Sequence, residues 1–579
     1  MIDNANEQME RLLDRAAAGN IGRRSFLAAA TALGATALFN SAVVDGALAA
    51  GVNQRAHRAT MRDSFDYIII GAGAAGCIIA ARLAEAGMEV LLVESGGTDD
   101  LAQVATPGIW FTNIGSPRDW RFTANPSPLV NGRTIPMAMG HVLGGGTSIN
   151  AMLWMRGFAQ DFDDWAYNGC DGWAFQDVLP LFRALEDWEG GANEWRGAGG
   201  PVHIRTAATD PHPTAAAFIA ASRQMGIPVL DDMNAPMREG AGYVNMSITK
   251  EGTRASASRA FLRPALSRPN LHLLLDTDAT GLLFEGTRCT GVQLQGRDGA
   301  RAVRASREVI IAGGGMMSAK LLLLSGIGDA DASRRLGITP IVDLQGVGRN
   351  FQDHPILFGV AYRYRGKMPP RSMTSNAVEA AAYVRSDIAK PVPDLKMVLQ
   401  QLPFVTPEVQ AKFGTLPSDG YTITPALMRP SSRGTFRLSS ADWRDKGQLD
   451  SNFFSTEHDI ETTVRGIELV RELGQAEGFA GIRDAEIVPG RPMTKAELRD
   501  FARNAAISFG HPVGTCKMGT DERAVVNPSL RVRGVEALRV CDSSIMPSIV
   551  TAPTAAASHM IGLKAVDLIL QDHHRPSSS

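Results

Sequence analysis

The chain has 579 residues, 44% of them apolar, and its 58 Lys and Arg against 60 Asp and Glu leave a net charge of −2. That is enough for a large core and two domains, and it leaves no basic field to hold nucleic acid. The five cysteines, Cys77, Cys170, Cys289, Cys516 and Cys541, are odd in number and lack C-x-x-C spacing. This argues against a disulfide framework, a zinc ribbon and a haem attached to this chain, and no apolar run reaches the roughly 18 residues that a spanning helix needs.

At the amino terminus, Arg23-Arg24-Ser25-Phe26-Leu27 opens an uncharged, mildly apolar run over 25–39, and the small residues Ala47-Leu48-Ala49 follow. The pattern resembles a twin-arginine export signal with cleavage near Ala49 or Ala50. The long leader departs from the ideal, since Asp3, Glu7, Glu10 and Asp14 outnumber Arg11 and Arg15. Residues 1–50 are therefore expected outside the fold, in a periplasmic or otherwise exported protein. Residues 51–62 lack periodicity and read as a linker.

The sequence then becomes specific. An apolar run at 67–70 predicts a buried strand, and Gly71, Gly73 and Gly76 follow as G-x-G-x-x-G. Gly71 suits a tight strand-to-helix turn, Gly73 a close approach of backbone to a pyrophosphate, and Gly76 close packing of helix on strand. Residues 74–86 predict a helix whose first amides, at Ala74 and Ala75, would face that pyrophosphate. A second strand at 89–93 ends at Glu94, placed to accept from a ribose 2′-hydroxyl. An acid there disfavours a 2′-phosphate, so NADP is not expected. The choice between FAD and NAD stays open at this point.

Two more glycine-rich segments follow. Residues 140–150 (GHVLGGGTSIN) expose backbone that could lie against a flat ring or a phosphate. Residues 309–328 read as strand, glycine turn, helix and glycine stop. Together with the blocks at 253–265 and 347–354, these segments are similar to those of the glucose-methanol-choline (GMC) oxidoreductases, a family of FAD-dependent enzymes acting mostly on alcohols. The resemblance runs from about Asp66 to about Leu570. It differs at His141, where Arg or Lys is usual, and at Ala319, where Pro or Ser is usual.

The resemblance implies FAD rather than NAD. It implies cofactor contacts from Gly71, Gly73, Gly76 and Glu94 to the ADP half and from Ala279 to the adenine. Val142, Gly145, Thr147 and Asn150 would lie over the pyrophosphate and flavin, and Asp542 would bond the ribityl or pyrophosphate region while capping the next turn. Some family members attach FAD through a histidine at the position of Ile149, so a non-covalent flavin is expected here. The implied domains are a FAD-binding unit of 63–160, 241–360 and 506–579 and a substrate-binding unit of 161–240 and 361–505. Residues 368–413 resemble no family segment, and substrate choice is expected there.

His511, in Ser508-Phe-Gly-His-Pro-Val-Gly-Thr, matches the family's catalytic histidine, and the resemblance implies that it accepts, or hydrogen-bonds, the substrate hydroxyl proton while the α-carbon hydride passes to flavin N5. The usual second residue, an Asn or His, is missing: gapless alignment puts Ala555 there. Two residues could stand in. Thr551 would do so after a four-residue shift, and His559 lies one helical turn beyond Ala555.

The expected fold is α/β, with a Rossmann-type FAD-binding domain and a substrate domain on an antiparallel sheet. The expected reaction takes a primary or secondary alcohol to a carbonyl, with oxygen, a quinone or a cytochrome as final electron acceptor. The alternatives are a flavin-containing lyase or decarboxylase on the same fold, kept open by Ala555, and a non-catalytic flavoprotein.

Overall fold

The computed structural model describes residues 61–574 together with 50, 53, 54, 56 and 57. The proposed export motif at 23–49 lies outside the described residues.

The strand Ser64–Ile70 is central to a seven-stranded sheet. It pairs in parallel with Val90–Val93 on one side and with the long strand Gly299–Ile311 on the other. Leu271–Leu274 continues the parallel run beyond Val90–Val93. The hairpin of Asp278–Glu285 and Arg288–Gly296 adds antiparallel strands to the first half of Gly299–Ile311, and Leu538–Val540 pairs in parallel with its second half. Both faces of the central strands are covered, which is why their residues are apolar without alternation: every residue of Val90–Val93 is buried.

The helix Ala74–Glu85 packs on this sheet, and the C-terminal helix Ala555–His574 packs on it in turn. Gly562 makes the second contact possible, since a Cβ there would stand 2.7 Å from the Ala75 Cα.

The second sheet is antiparallel and eight-stranded. Its path runs through Arg483–Val488, Ala361–Tyr364, Gly420–Leu427, Leu395–Gln400, Ala380–Val384 and Gly240–Tyr243. The short strands Pro355–Leu357 and Ala506–Ser508 complete it. Three strands near the expected domain boundaries, at 240–243, 355–357 and 506–508, thus all belong to this sheet. The strands at 355–357 and 506–508 join it although the expected bounds put them in the FAD-binding unit, and the second lies just before the segment carrying His511.

The described part of the expected linker is not free chain. Residues 53, 54, 56 and 57 are helical. Gln54 Nε2 donates to the Leu271 carbonyl at 2.8 Å, and its Oε1 accepts from the Leu273 amide at 2.9 Å. The side-chain amide therefore satisfies backbone groups on the outer edge of the parallel sheet, an edge that would otherwise stay open. Periodicity does not reveal such a contact.

Candidate active site

The carboxyl ends of four parallel strands converge on one cavity of about 390 Å³, within the usual range for small-molecule sites. Ile70, Val93 and Ile311 end on its wall, and Asp542 follows Val540 there. This crevice is where an open α/β sheet binds ligands.

The first glycine turn is built as the spacing requires. Gly71 has φ +100°, and a Cβ on it would meet the Ala312 carbonyl oxygen at 2.5 Å. A Cβ on Gly76 would meet the Gly71 carbonyl oxygen at 1.9 Å, so Gly76 serves helix packing and stands off the cavity wall. Gly73 is different: only the Ala312 oxygen lies within 4 Å of its Cβ direction. That space is open toward the cavity, which Gly73, Ala74 and Ala75 line. The helix Ala74–Glu85 has no side-chain cap and no acid in its first turn, leaving amides and the positive end of its dipole for an anion.

Glu94 lies on the same wall. Its oxygens accept from the Ala72 and Gly96 amides, each at 2.8 Å. Burial raises its pKa to about 7 against the effect of those donors. Each carboxyl oxygen keeps a further acceptor position for a ribose hydroxyl. Ala279 lines the cavity beside Asp278, which accepts from the Ser95 hydroxyl.

The loop at 140–150 closes over the first turn. The Gly144 amide donates to the Ala72 carbonyl at 2.8 Å, and a Cβ on Gly145 would stand 2.8 Å from the Gly73 Cα. Gly145, Thr147, Ile149 and Asn150 line the cavity; Val142 does not. Val142 is buried and bridges to Gly97, so it holds the loop from behind.

Under the loop lies Arg254, fully buried. Its Nη1 donates to the carbonyls of Thr147 at 3.1 Å and Asn150 at 2.7 Å and to Asn150 Oδ1 at 2.8 Å. Oδ1 also accepts from the Met152 amide. With both protein contacts on the oxygen, the Asn150 amide nitrogen is the group left to donate into the cavity. Arg254 belongs to the block at 253–265, but only the fold shows what it holds.

Asp542 ties the C-terminal strand to the second glycine turn. It accepts from the Gly314 amide at 2.9 Å, the Ser318 hydroxyl at 2.5 Å and the Ser544 amide at 2.7 Å. The last of these caps the following turn.

At the far end stands His511, 9% exposed and on the cavity wall. Its backbone amide donates to Asp353 Oδ1 at 3.0 Å, and Asp353 also accepts from the Ser508 hydroxyl and the His354 amide. The ring is fixed by a second histidine, with His354 Nδ1 2.9 Å from His511 Nδ1 and His354 Nε2 3.1 Å from the Met428 carbonyl oxygen.

The proton positions follow. A carbonyl oxygen only accepts, so His354 Nε2 carries the hydrogen. Burial lowers the His354 pKa to about 3, so this ring is neutral and its Nδ1 is an acceptor. His511 must then donate from Nδ1, which leaves a lone pair on Nε2. Burial, His354 and Lys396 push the His511 pKa well below its ordinary value, so the lone pair is free at neutral pH.

Ala555 lines the cavity, as the alignment places it, and brings no polar side-chain atom. Neither suggested substitute joins it. The Thr551 hydroxyl donates to Asp161 Oδ1 at 2.7 Å and accepts from Arg429 at 3.2 Å, off the wall. Asp161 is a buried acid that needs those donors. His559 lies against Trp154 with ring centres 5.1 Å apart, and its Nδ1 is 2.7 Å from the Ala555 carbonyl oxygen. It too is off the wall. Sequence reasoning missed Thr554 and Ser558, which flank Ala555 on the wall, and it missed the role of His354. The D-H pair at 353–354 was visible, but its partner lies 157 residues away.

A crevice shaped for a dinucleotide leads to a buried neutral histidine, an arrangement that fits a redox enzyme with a dinucleotide cofactor. Comparison with known proteins gives the family. The chain matches the GMC oxidoreductase models over residues 65–356 and 430–562, and it belongs to the GMC oxidoreductases, FAD-dependent enzymes acting on CH–OH donors. It is 38% identical to the mitochondrial choline dehydrogenase of Homo sapiens over 543 residues, covering 88% of this chain and 90% of that protein. It is likewise 38% identical to the oxygen-dependent choline dehydrogenase of Brucella ovis, covering 87% and 95%. The crystal structure of pyridoxine 4-oxidase from Mesorbium loti superposes with a TM-score of 0.84 at 32% identity, covering 88% of this chain and 100% of that one.

Proposed function

We propose that this chain oxidises a primary or secondary alcohol to an aldehyde or ketone, with His511 as the base. The observation that carries the reading is the His354–His511 pair, which leaves Nε2 unprotonated on a histidine that lines the FAD crevice. FAD, when bound, supplies the hydride acceptor. The protein supplies the rest. His511 Nε2 accepts the hydroxyl proton, and His354 holds the ring in the tautomer that can do so. The apolar walls formed by residues such as Phe358, Val398 and Phe509 keep water from the reacting carbon.

The residues present fit a flavin dinucleotide held without a covalent link. Gly73 leaves space for a pyrophosphate, Glu94 accepts from a ribose, Asn150 donates, and Ile149 offers no atom for attachment. The choline dehydrogenases among its relatives make choline one alcohol to test and the pyridoxine oxidase makes an aromatic alcohol another. Export by the twin-arginine route is part of the proposal and rests on Arg23-Arg24 and Ala47-Leu48-Ala49. An Arg23→Lys, Arg24→Lys double variant would then stay in the cytoplasm.

The test is anaerobic mixing of the holoenzyme with aliphatic, aromatic and sugar alcohols while flavin absorbance is followed. Bleaching with stoichiometric carbonyl product supports the proposal. Bleaching by none of them would remove it and move a lyase to the front.

A further inference from the structure

The substrate end of the cavity is lined largely by apolar side chains, and a buried cation, Lys396, stands behind one of its walls. On the strand Leu395–Gln400, Lys396, Val398 and Gln400 share one face. Val398 and Gln400 line the cavity. Lys396 is 0% exposed. Its Nζ lies 3.6 Å from Met155 Sδ, 5.2 Å from the centre of the Tyr383 ring and 5.8 Å from that of Phe509. Phe509 is itself part of the wall, two residues before His511.

Among the described residues, no carboxylate pairs with this ammonium. Burial lowers its pKa to about 7, and no acid opposes that shift. The acids on the cavity wall, Glu94, Asp278 and Asp542, belong to the nucleotide end and are bonded there. Asp353 lies behind His511, where Ser508 and two backbone amides take up its oxygens. Phe509 could attract a cation through its ring face, but Lys396 is already within cation–π reach of that ring. A cationic substrate here would meet an uncompensated like charge and no counter-ion.

We propose that the site takes an uncharged, largely apolar alcohol and rejects quaternary-ammonium alcohols, with Lys396 as the residue that sets this preference. The proposal rests on the alcohol-oxidation reading. Two unit charges about 8 Å apart at an effective dielectric of about 20 repel strongly enough to change binding on the order of 30-fold.

The probes are choline and 3,3-dimethylbutan-1-ol, which share a shape and differ in charge. The holoenzyme and its Lys396→Met and Gln400→Glu variants are compared at pH 6, where the ammonium form of Lys396 prevails. The expected result for wild type is a kcat/KM about 30-fold or more higher for the neutral alcohol. The ratio should fall about tenfold in Lys396→Met. It should fall again in Gln400→Glu, which adds a carboxylate to the wall and keeps the test alive if the lysine variant does not fold. A wild-type ratio below about ten, or a ratio unchanged in Lys396→Met, overturns the proposal. The same pair is also measured as ligands, through the change in flavin absorbance on mixing. If neither alcohol reduces the flavin, the oxidation reading fails separately. The ratio of dissociation constants still decides the charge argument, and no binding of the neutral alcohol counts against it.

Discussion

His354→Phe probes the proton arrangement at the site more sharply than a change at His511 itself. Phenylalanine fills the space of the imidazole but cannot accept from His511 Nδ1 or donate to the Met428 carbonyl, contacts of 2.9 and 3.1 Å in the native protein. Leaving a buried donor without its acceptor costs about 1–3 kcal/mol. His511 can recover part of that cost by moving its proton to Nε2, the atom that must accept from the substrate. The expected loss in the rate of flavin reduction is therefore about 10- to 100-fold, from roughly 1.4 kcal/mol per tenfold. His354→Gln can present an acceptor to His511 and a donor to Met428 at once, and it should retain most of the rate. The assay is anaerobic stopped-flow reduction of FAD-replete protein over a range of pH. Melting temperature is followed in parallel, because both variants alter a buried site. If Phe and Gln lower the rate equally, or if Phe leaves the rate and its pH profile unchanged, His354 does not set the His511 tautomer.

Other outcomes follow from the same geometry. Arg254→Met removes the guanidinium under Thr147 and Asn150, and it should weaken FAD retention on gel filtration more than it lowers the melting temperature. Thr551→Ala should lower stability by about 1–3 kcal/mol, because Asp161 loses a buried hydrogen bond; normalised to bound flavin, turnover should be unchanged. His559→Phe should likewise leave the pH profile of turnover alone. The folded pKa of Lys396, about 7, is depressed below the unfolded value. Its contribution is thus present above the unfolded pKa and lost as pH falls toward 7, at about 1.4 kcal/mol per pH unit. Lys396→Met should remove that slope between pH 7 and 10 relative to wild type in urea titrations, and a parallel pair of curves would refute a lysine whose pKa burial holds near 7.

What the sequence disclosed depended on how local each constraint is. The turn at 71–76 is legible because steric demands within six residues fix its glycines, and the strand–turn–helix unit follows from them. His511 is legible through the wording of its own segment. Its partner is not, since His354 reaches it only when the strands Pro355–Leu357 and Ala506–Ser508 pair. Thr551 and His559 failed as substitutes for a related reason. Sequence spacing put them near Ala555, but Asp161 and Trp154, far away in the chain, claim their side chains. Lys396 lies in the stretch that resembled no family segment, and its meaning comes entirely from what surrounds it. A buried lysine in a strand reads as an exposed one until the opposite face is seen.

The central claim is that His511 Nε2 takes the substrate proton. It is tested most directly by single-turnover anaerobic reduction of wild type and His511→Ala, each carrying its full complement of FAD, with the best alcohol of the panel. The account predicts reduction slowed about 10²- to 10⁴-fold in the variant, with its flavin spectrum and FAD content unchanged. Reduction at the wild-type rate would contradict it.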